Sequence, residues 1–377
     1  MSVKFIHTSD WHMGLKTAHM GEKSRDLRHK RYQAASLIAD LAKEERVDFV
    51  IIAGDMFDSH NVDDRIVRST VELLNKFAPI DVFVLPGNHD PLLTGGIWDR
   101  LSWKEAGSHV RLITEPKEIR VANSAVLFPC PVAQKLSRTD PTGWIPERTA
   151  DDGCIRIGVA HGTLDVIPHP GNFPIPSDRQ DRSGLDYLAL GDWHGFSRHG
   201  RTVYSGTPEQ TRFDEIDPGN VVLVQIDSSQ SEPVLTKKRV GQLRWREFTT
   251  PINDETDIMA LHSSIYGDGA VSEQLLRIRT ALAPGISQHA VNSVKSLREE
   301  LAENAFHLDW PGETVEPPIN ISSELPEGIM SEIDAVLQSL IDGNKQEMPE
   351  GPLVHTESSV LSEAKAILRR LYMEGKH

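Results

Sequence analysis

The chain has 377 residues, 38% apolar and 25% charged, with 11 Phe, 7 Trp and 5 Tyr; that is a globular composition, sufficient for two or three domains, and it excludes a disordered, collagen-like or fibrous chain. No run approaches 18 uninterrupted apolar residues and the opening residues lack the apolar stretch of a signal peptide, so a cytoplasmic protein without membrane contact is expected. The net charge of −15 argues at first against a nucleic-acid partner.

The charge is unevenly spread. Residues 1–250 carry 31 basic against 34 acidic side chains, a net of −3, whereas residues 251–350 carry 5 against 18, a net of −13. Residues 351–377 carry 4 against 3. The acidity belongs to one segment, which is expected to face away from any phosphate path. Two cysteines, Cys130 and Cys154, are too few for a disulfide framework or a thiolate zinc site.

In chain order, Val3–Thr8, Val47–Ala53 and Asp81–Leu85 are short apolar runs that read as buried strands. A helix lies between the first two, with Ala34, Leu37, Ile38 and Leu41 on one face, and a second helix near Asp63–Ala78 precedes the third. Ala125–Phe128, Ile155–Ala160, Leu185–Leu190, Thr202–Ser205 and Val221–Ile226 follow as strands. Alternating units and then consecutive strands predict a layered α/β fold whose second sheet is largely antiparallel.

Composition shifts near Thr250–Pro251. Leu275–Leu282 then reads as a strand, Ser287–Ala305 as a helix and Phe306–Trp310 as a strand, enough for a small capping domain. Glu313–Pro326 reads as a linker, followed by a helix at Ile329–Ile341. The last helix carries the apolar stripe Val360, Ala364, Ile367, Leu368 and Leu371. The expected boundaries are 1–244, 245–315, 316–352 for an acidic linker with a helix, and 353–377.

Five motifs sit at or just past the carboxyl ends of predicted strands: Asp10-Trp-His12, Gly54-Asp55-Met-Phe-Asp58, Gly87-Asn88-His89-Asp90, His161 in Ala-His-Gly, and Gly191-Asp192-Trp-His194. Ligands gather at that edge of α/β sheets because the loops converge there. Carboxylate, imidazole and carboxamide without thiolate suit Mn²⁺, Fe²⁺ or Zn²⁺. Two such ions repel, and a bridging carboxylate offsets the repulsion. Asp55, behind a close-turning glycine, is the natural candidate. The pair would polarise a phosphate oxygen and lower the pKa of a shared water. One Asp-x-His alone marks a strand-end turn more often than a ligand; five motifs in this order do not.

The order Asp-x-His, Gly-Asp-x-x-Asp, Gly-Asn-His-Asp, His, Gly-x-x-His resembles the calcineurin-like metallophosphoesterase superfamily. Within it, the opening Phe-Ile-His-Thr-Ser-Asp-Trp-His-Met-Gly is similar to SbcD-type nucleases, the bacterial counterparts of the meiotic-recombination-eleven nuclease, as are Tyr204–Glu209 and Arg212–Glu215. The resemblance implies a four-layer αββα sandwich with an α/β cap and a C-terminal helical tail. It implies Asp10, His12 and His194 on one metal, Asp55 bridging, and Asn88, His161 and position 192 on the other, with Mn²⁺ as the expected ion. His89 would contact the scissile phosphate, oriented by Asp58 or Asp90. It also implies DNA cleavage at ends and hairpins, a homodimer, and an SMC-like ATPase partner of the SbcC type. The family pattern has His where this chain has Asp192, which is still a competent hard ligand and is expected to coordinate; the alternative is that it has left the metal and accepts a hydrogen bond from a ligand histidine.

Lys16, Lys23, Arg25, Arg28, Lys30 and Arg31 follow the first motif against only Glu22 and Asp26, and read as a loop that tracks phosphates, the alternative being a solvated loop and first helical turn. Lys237, Lys238, Arg239, Arg244 and Arg246 form a second basic run. On the terminal helix, Leu361, Ala364, Ile367, Leu368 and Leu371 would contact the ATPase as a helix in a groove, unless that helix packs back on its own chain. The rival readings are a small-molecule phosphatase or cyclic-nucleotide phosphodiesterase on the same fold, and a non-catalytic DNA-binding scaffold.

Overall fold

Strands rich in Val, Ile and Phe that are buried on both faces pair in parallel when helices or long loops return the chain to the same end. The computed structural model describes residues 2–122, 125–149, 153–167, 171–312, 314–315 and 337. The helix expected over Leu361, Ala364, Ile367, Leu368 and Leu371 lies outside the described residues, as does most of the stretch read as linker.

The first sheet forms around β1 (Val3–Thr8), β2 (Phe49–Ala53) and β3 (Asp81–Leu85), which run parallel. The crossovers are α1 (Ser24–Glu44) and α2 (Asp64–Asn75), the latter capped by Asp63, whose side chain accepts from the Arg65 amide at 2.8 Å. β4 (Val110–Leu112) adds in parallel beside β3. On the other side of β1, β11 (Asn220–Ile226) and β12 (Val234–Arg239) pair antiparallel. The order is β12-β11-β1-β2-β3-β4.

The second sheet contains β5 (Ile119–Arg120), β6 (Ala125–Cys130), β7 (Ile155–His161), β8 (Tyr187–Gly191), β9 (Ser197–His199) and β10 (Thr202–Tyr204), in the order β5-β6-β7-β8-β10-β9. The expectation of a largely antiparallel sheet is wrong. β6, β7, β8 and β10 are mutually parallel, and only the edge strands β5 and β9 run antiparallel. The reason is the length of the connections. About two dozen residues separate β6 from β7 and β7 from β8, enough for a crossover where a hairpin needs only a few residues. These loops, with the four-residue helix α3 (Arg179–Arg182), cover the outer face, where Ile145, Leu164 and Ile175 pack on Phe128, Leu188 and Tyr204.

Period-two alternation directs Val3 and Phe5 of β1 towards the second sheet and Ile6 towards the helices. Phe5, Phe49, Ile51 and Phe83 meet Leu127, Ile157, Val159 and Tyr187 in the layer between the sheets. Ile6, Val50, Ile52 and Val84 meet Ile38, Ala39, Val67 and Leu74 of the helices. His7 also points between the sheets, its ring nitrogens against Tyr187 Oη at 2.9 Å and the Leu190 carbonyl at 3.2 Å. Burial lowers its pKa to about 3, so it is a neutral polar link.

After β12 the chain forms β13 (Arg244–Ile252), α4 (Glu255–Tyr266), β14 (Gln274–Leu282), α5 (Gln288–Asn304) and β15 (His307–Asp309). β13, β14 and β15 form a further sheet, and α5 is capped by Ser287, whose hydroxyl accepts from the Ala290 amide. Leu243, Trp245, Leu275 and Phe306 pack with Met20 and Leu27, so this part shares a core with the start of α1. The chain divides into two compact units, Met1–Thr280 with Ser287–Glu313, and Ala281–Ile286 with Thr314–His377. In the second, β16 (Thr314–Val315) pairs with Ala281 and Leu282, and Leu337 is buried in a helix.

The face of α1 needs two corrections. Leu37 is exposed, and the buried stripe is Leu27, Arg31, Ala34, Ala35, Ile38, Ala39 and Ala42. Arg31 therefore is not a surface cation available to DNA. It lies four residues from Leu27 and from Ala35, the helical period that turns a side chain inward. Its guanidinium donates to the carbonyls of Trp11 (3.3 Å), Glu209 (3.1 Å) and Gln210 (3.4 Å). Lys16, Lys23, Arg25 and Arg28 are exposed, and Lys30 is half-buried. The second basic run is engaged locally. Lys237 pairs with Asp217, Lys238 with Glu45, and both Arg244 and Arg246 with Asp268, while Arg239 donates to the Leu243 carbonyl.

Arg31→Met leaves three buried carbonyls without their charged donor and is expected to lower stability by about 1–3 kcal/mol in urea denaturation. Arg28→Gln, at an exposed position, is expected to stay within about 0.5 kcal/mol of the parent.

Candidate metal centre

The ligand loops are built by extending the β1–β2 pairing beyond the strands. Past Thr8 and Ala53 the backbones continue to exchange hydrogen bonds: Asp10 N to Gly54 O (3.1 Å), His12 N to Asp55 O (3.1 Å), Met13 N to Met56 O (2.8 Å) and Asp58 N to Met13 O (3.1 Å). This brings Asp10 and His12 beside Asp55. Asn88, His89 and Asp90 follow β3, His161 ends β7, and Asp192 and His194 follow β8. Both sheets thus deliver their carboxyl ends to one place.

The geometry strains the backbone. Asp10, His12, Asp55 and Asp192 all have positive φ, at 53°, 45°, 50° and 103°, a conformation that costs about 1–3 kcal/mol per residue. Gly54 permits a close approach, since a Cβ there would lie 2.1 Å from His161 Nδ1.

Asp10, His12 and His194 offer ligand atoms within 4.8 Å of one another, and so do Asp10, Asp55 and His161, and His12, Asp55 and His89. His12 Nε2 faces His194 Nε2 at 3.0 Å. His161 Nε2 lies 2.8 Å from Asn88 Oδ1, 3.3 Å from Asp55 Oδ2 and 3.9 Å from Asp192 Oδ1. Asp192 Oδ2 accepts from the Thr163 hydroxyl at 2.6 Å, and the Asp192 amide donates to the Asp10 carboxylate.

The donor set fits a cation. His161 Nδ1 lies 2.9 Å from the Ala53 carbonyl, which can only accept, so Nδ1 carries the proton and Nε2 of the neutral ring presents a lone pair. That lone pair faces two more acceptors, and three convergent acceptors attract a proton or a metal. The pKa shifts express the same attraction. Burial works against a charged His161, but Asp55 outweighs it and raises the pKa well above the ordinary value. Burial alone would raise Asp55, yet His161, His12 and His89 hold it low. Asp10 is pushed up to about 6 by burial, against the pull of His161 and His194. Burial and then His194 hold His12 well below its usual range.

The supporting shell was only partly anticipated. His194 Nδ1 is held by Glu215 Oε1 at 2.7 Å and by the Thr211 hydroxyl at 3.1 Å, while Glu215 Oε2 accepts from the Thr211 amide. Burial opposes charge on His194, but its hydrogen bond to Glu215 and the nearby charge of Asp10 raise its pKa. Ser9 donates to Asp10 at 2.5 Å and meets Ser205 Oγ at 2.8 Å. Thr211 through Glu215 follows the last motif closely; a carboxylate at that spacing is the signal that could have found it.

His89 is half exposed, with Nδ1 on the backbone carbonyl of Asp58 at 2.8 Å and its amide on Asp55 Oδ1 at 2.9 Å. The Asp58 carboxylate instead lies 3.6 Å from His12 Nδ1. The Asp90 carboxylate accepts from the amides of Phe57 (2.9 Å) and Gly87 (2.7 Å), so it ties the second and third ligand loops together rather than touching the His89 ring.

Among the described residues, no helix is long and apolar enough to cross a membrane. Residues 3–273 match the family model of calcineurin-like phosphoesterases. The chain is 26% identical over 281 residues to the uncharacterized metallophosphoesterase YhaO of Bacillus subtilis, covering 69% of this chain and 66% of that one. It is 34% identical over 260 residues to the DNA double-strand break repair protein Mre11 of Thermoplasma acidophilum, covering 63% and 66%. It is 24% identical over 244 residues to the Mre11 of Methanosarcina mazei, covering 61% and 37%. The chain thus spans less than two thirds of the length of these relatives. With carboxylates and imidazoles converging at the ends of two sheets and a family match over most of its length, the chain belongs to the calcineurin-like phosphoesterases, metal-dependent enzymes of phosphate-ester hydrolysis.

Proposed function

We propose that the chain is a DNA nuclease subunit of the SbcD type that hydrolyses phosphodiesters at DNA ends with two Mn²⁺ ions. The observation that carries this reading is the cation-seeking cluster of Asp10, His12, Asp55, His161 and His194, set beside a helix with an exposed basic start. Arg31 anchors α1 to the carbonyl of Trp11, between two ligand residues. Arg25 is exposed in the first turn of that helix, where positive charge opposes the helix dipole, so phosphate binding accounts for it better than helix stability does; Lys23 lies over the Phe306 ring, 5.4 Å from its centre. The names of the Mre11 relatives favour DNA over a small ester.

Asp10, His12 and His194 would hold one ion and Asn88, His161 and Asp192 the other, with Asp55 between them. Divalent ions bound there supply Lewis acidity towards a phosphoryl oxygen and lower the pKa of water. The chain's own residues fix the rest. Glu215 and the Ala53 carbonyl hold the protons of His194 and His161 on Nδ1, leaving each Nε2 as a ligand. With His89 Nδ1 on the Asp58 carbonyl, Nε2 is the atom that can carry a proton to the leaving oxygen. A homodimer and an SMC-like ATPase docked on residues 353–377 belong to the same reading and rest on the motif resemblance.

The deciding experiment compares linear duplex DNA with a chromogenic phosphodiester in Mn²⁺, for the parent and Asp55→Asn. Hydrolysis of both, lost by more than about 100-fold in the variant, is expected, since residues behind the ligands alone are worth about 10–100-fold. Activity on the small ester alone would favour a small-molecule phosphodiesterase, and none on either a non-catalytic scaffold. Glu215→Gln is expected to weaken Mn²⁺ binding about 10–100-fold by calorimetry, with thermal unfolding little changed. Neutralising Arg25, Arg28 and Lys30 together is expected to weaken DNA binding and to flatten the slope of log affinity against log salt by roughly 0.9 for each phosphate that is no longer neutralised. An unchanged slope would remove these residues from the DNA path.

A further inference from the structure

A cleft of about 450 Å³ opens beside His194, lined by Thr163, Asp192, Trp193, Arg212, Glu215 and Ile216 among others. Trp193 stands between two candidate ligands and is still 38% exposed, and Ile216 is 72% exposed. An exposed indole with an isoleucine beside a polar centre is apolar surface that the fold has not used.

The cleft is built rather than incidental. A Cβ on Gly195 would lie 2.0 Å from the Ile216 carbonyl oxygen and 3.4 Å from Trp193 Nε1, so the absence of a side chain lets these two loops meet. The segment that carries Arg212 and Ile216 is pinned through Phe213, whose ring lies 5.0 Å from Trp245 edge-on and 4.1 Å from the Arg277 guanidinium. Charge then limits the occupant. Asp192, Asp214 and Glu215 line the cleft against Arg212 alone, and Arg212 lies 3.6 Å from Asp214. Carboxylates repel phosphate. What enters must be flat, uncharged and attached to a phosphate that stays at the metal ligands.

We propose that this cleft is a nucleobase subsite, in which the Trp193 indole stacks on an unpaired base next to the phosphate held at His194. The assignment rests on the nuclease reading for its phosphate, and it deepens that reading. A paired base has both faces covered by its neighbours, so a stacking platform here selects strand ends with at least one unstacked nucleotide.

The test is equilibrium binding by fluorescence anisotropy in Mn²⁺. It uses a labelled six-nucleotide thymidine strand with phosphorothioate linkages, which slow cleavage, and an abasic strand of the same length and linkage, both read before measurable cleavage. The parent protein is expected to bind the base-bearing strand about 5- to 150-fold more tightly. Trp193→Ala should bring the two strands within about twofold while leaving affinity for the abasic strand unchanged, and Trp193→Phe should keep most of the preference. Ile216→Asp, at an exposed position in the same cleft, should reduce the preference without altering Trp193. Equal binding of both strands by the parent, or a preference that survives Trp193→Ala, overturns the subsite. The two readings fail separately: DNA hydrolysis without base preference removes the subsite alone, and base preference without hydrolysis of any DNA phosphodiester removes the nuclease reading alone.

Discussion

His161 Nε2, Asn88 Oδ1 and the Asp55 carboxylate converge across about 3 Å, and the backbone at this end of the molecule holds them there. Convergent acceptor atoms stay together only where a proton or cation lies between them and a framework fixes their positions. Here the framework is backbone: the ladder continued past β1 and β2, the Asp90 carboxylate clasping the amides of Gly87 and Phe57, and the Ala53 carbonyl fixing the His161 ring. Hydrogen bonds from backbone to backbone or to buried carboxylates suit this task because they do not rearrange when the ligand side chains change charge.

The two sheets share the work unequally. Three of the five loops come from the first sheet, whose parallel strands are braced by α1 and α2, and they supply both carboxylates shared between ligand groups. The second sheet contributes His161 and His194 from strands whose outer face is covered mainly by loops. Its histidines are steadied from elsewhere: Glu215 belongs to the segment that Phe213 pins against Trp245 and Arg277. Among the described residues, the part after β12 reaches the metal centre through that segment and through the start of α1, on which Leu243, Trp245, Leu275 and Phe306 pack, and it contributes none of the candidate ligands.

Much of this was legible in the sequence because strand ends announce themselves. Each motif follows an apolar run and breaks it with Gly, Asp or Asn, so position, residue type and order all point to the same loop cluster. What was not legible depended on tertiary context. Arg31 looks like one more cation in a basic run, and only its period with Leu27 and Ala35 shows that it turns inward. The direction of β7 and β8 depends on how long loops return, which residue patterns do not record. β13 runs through the composition shift at Thr250–Pro251 and α4 follows directly after it, so the shift concealed both.

The positive φ of Asp10, His12, Asp55 and Asp192 limits how such a centre can change over generations. Apart from glycine, the residues that tolerate this region are chiefly Asn, Asp and His. These are also the side chains that bind hard and borderline metals. A position strained in this way can exchange one metal-binding residue for another with little conformational penalty, while β-branched and bulky apolar residues are excluded before any question of chemistry arises. Asp192 stands at such a position, with Oδ2 on the Thr163 hydroxyl and Oδ1 3.9 Å from His161 Nε2. The backbone acts as a filter on drift: it keeps the centre within a small alphabet of ligands and leaves the choice among them, and so the metal preference, open to variation.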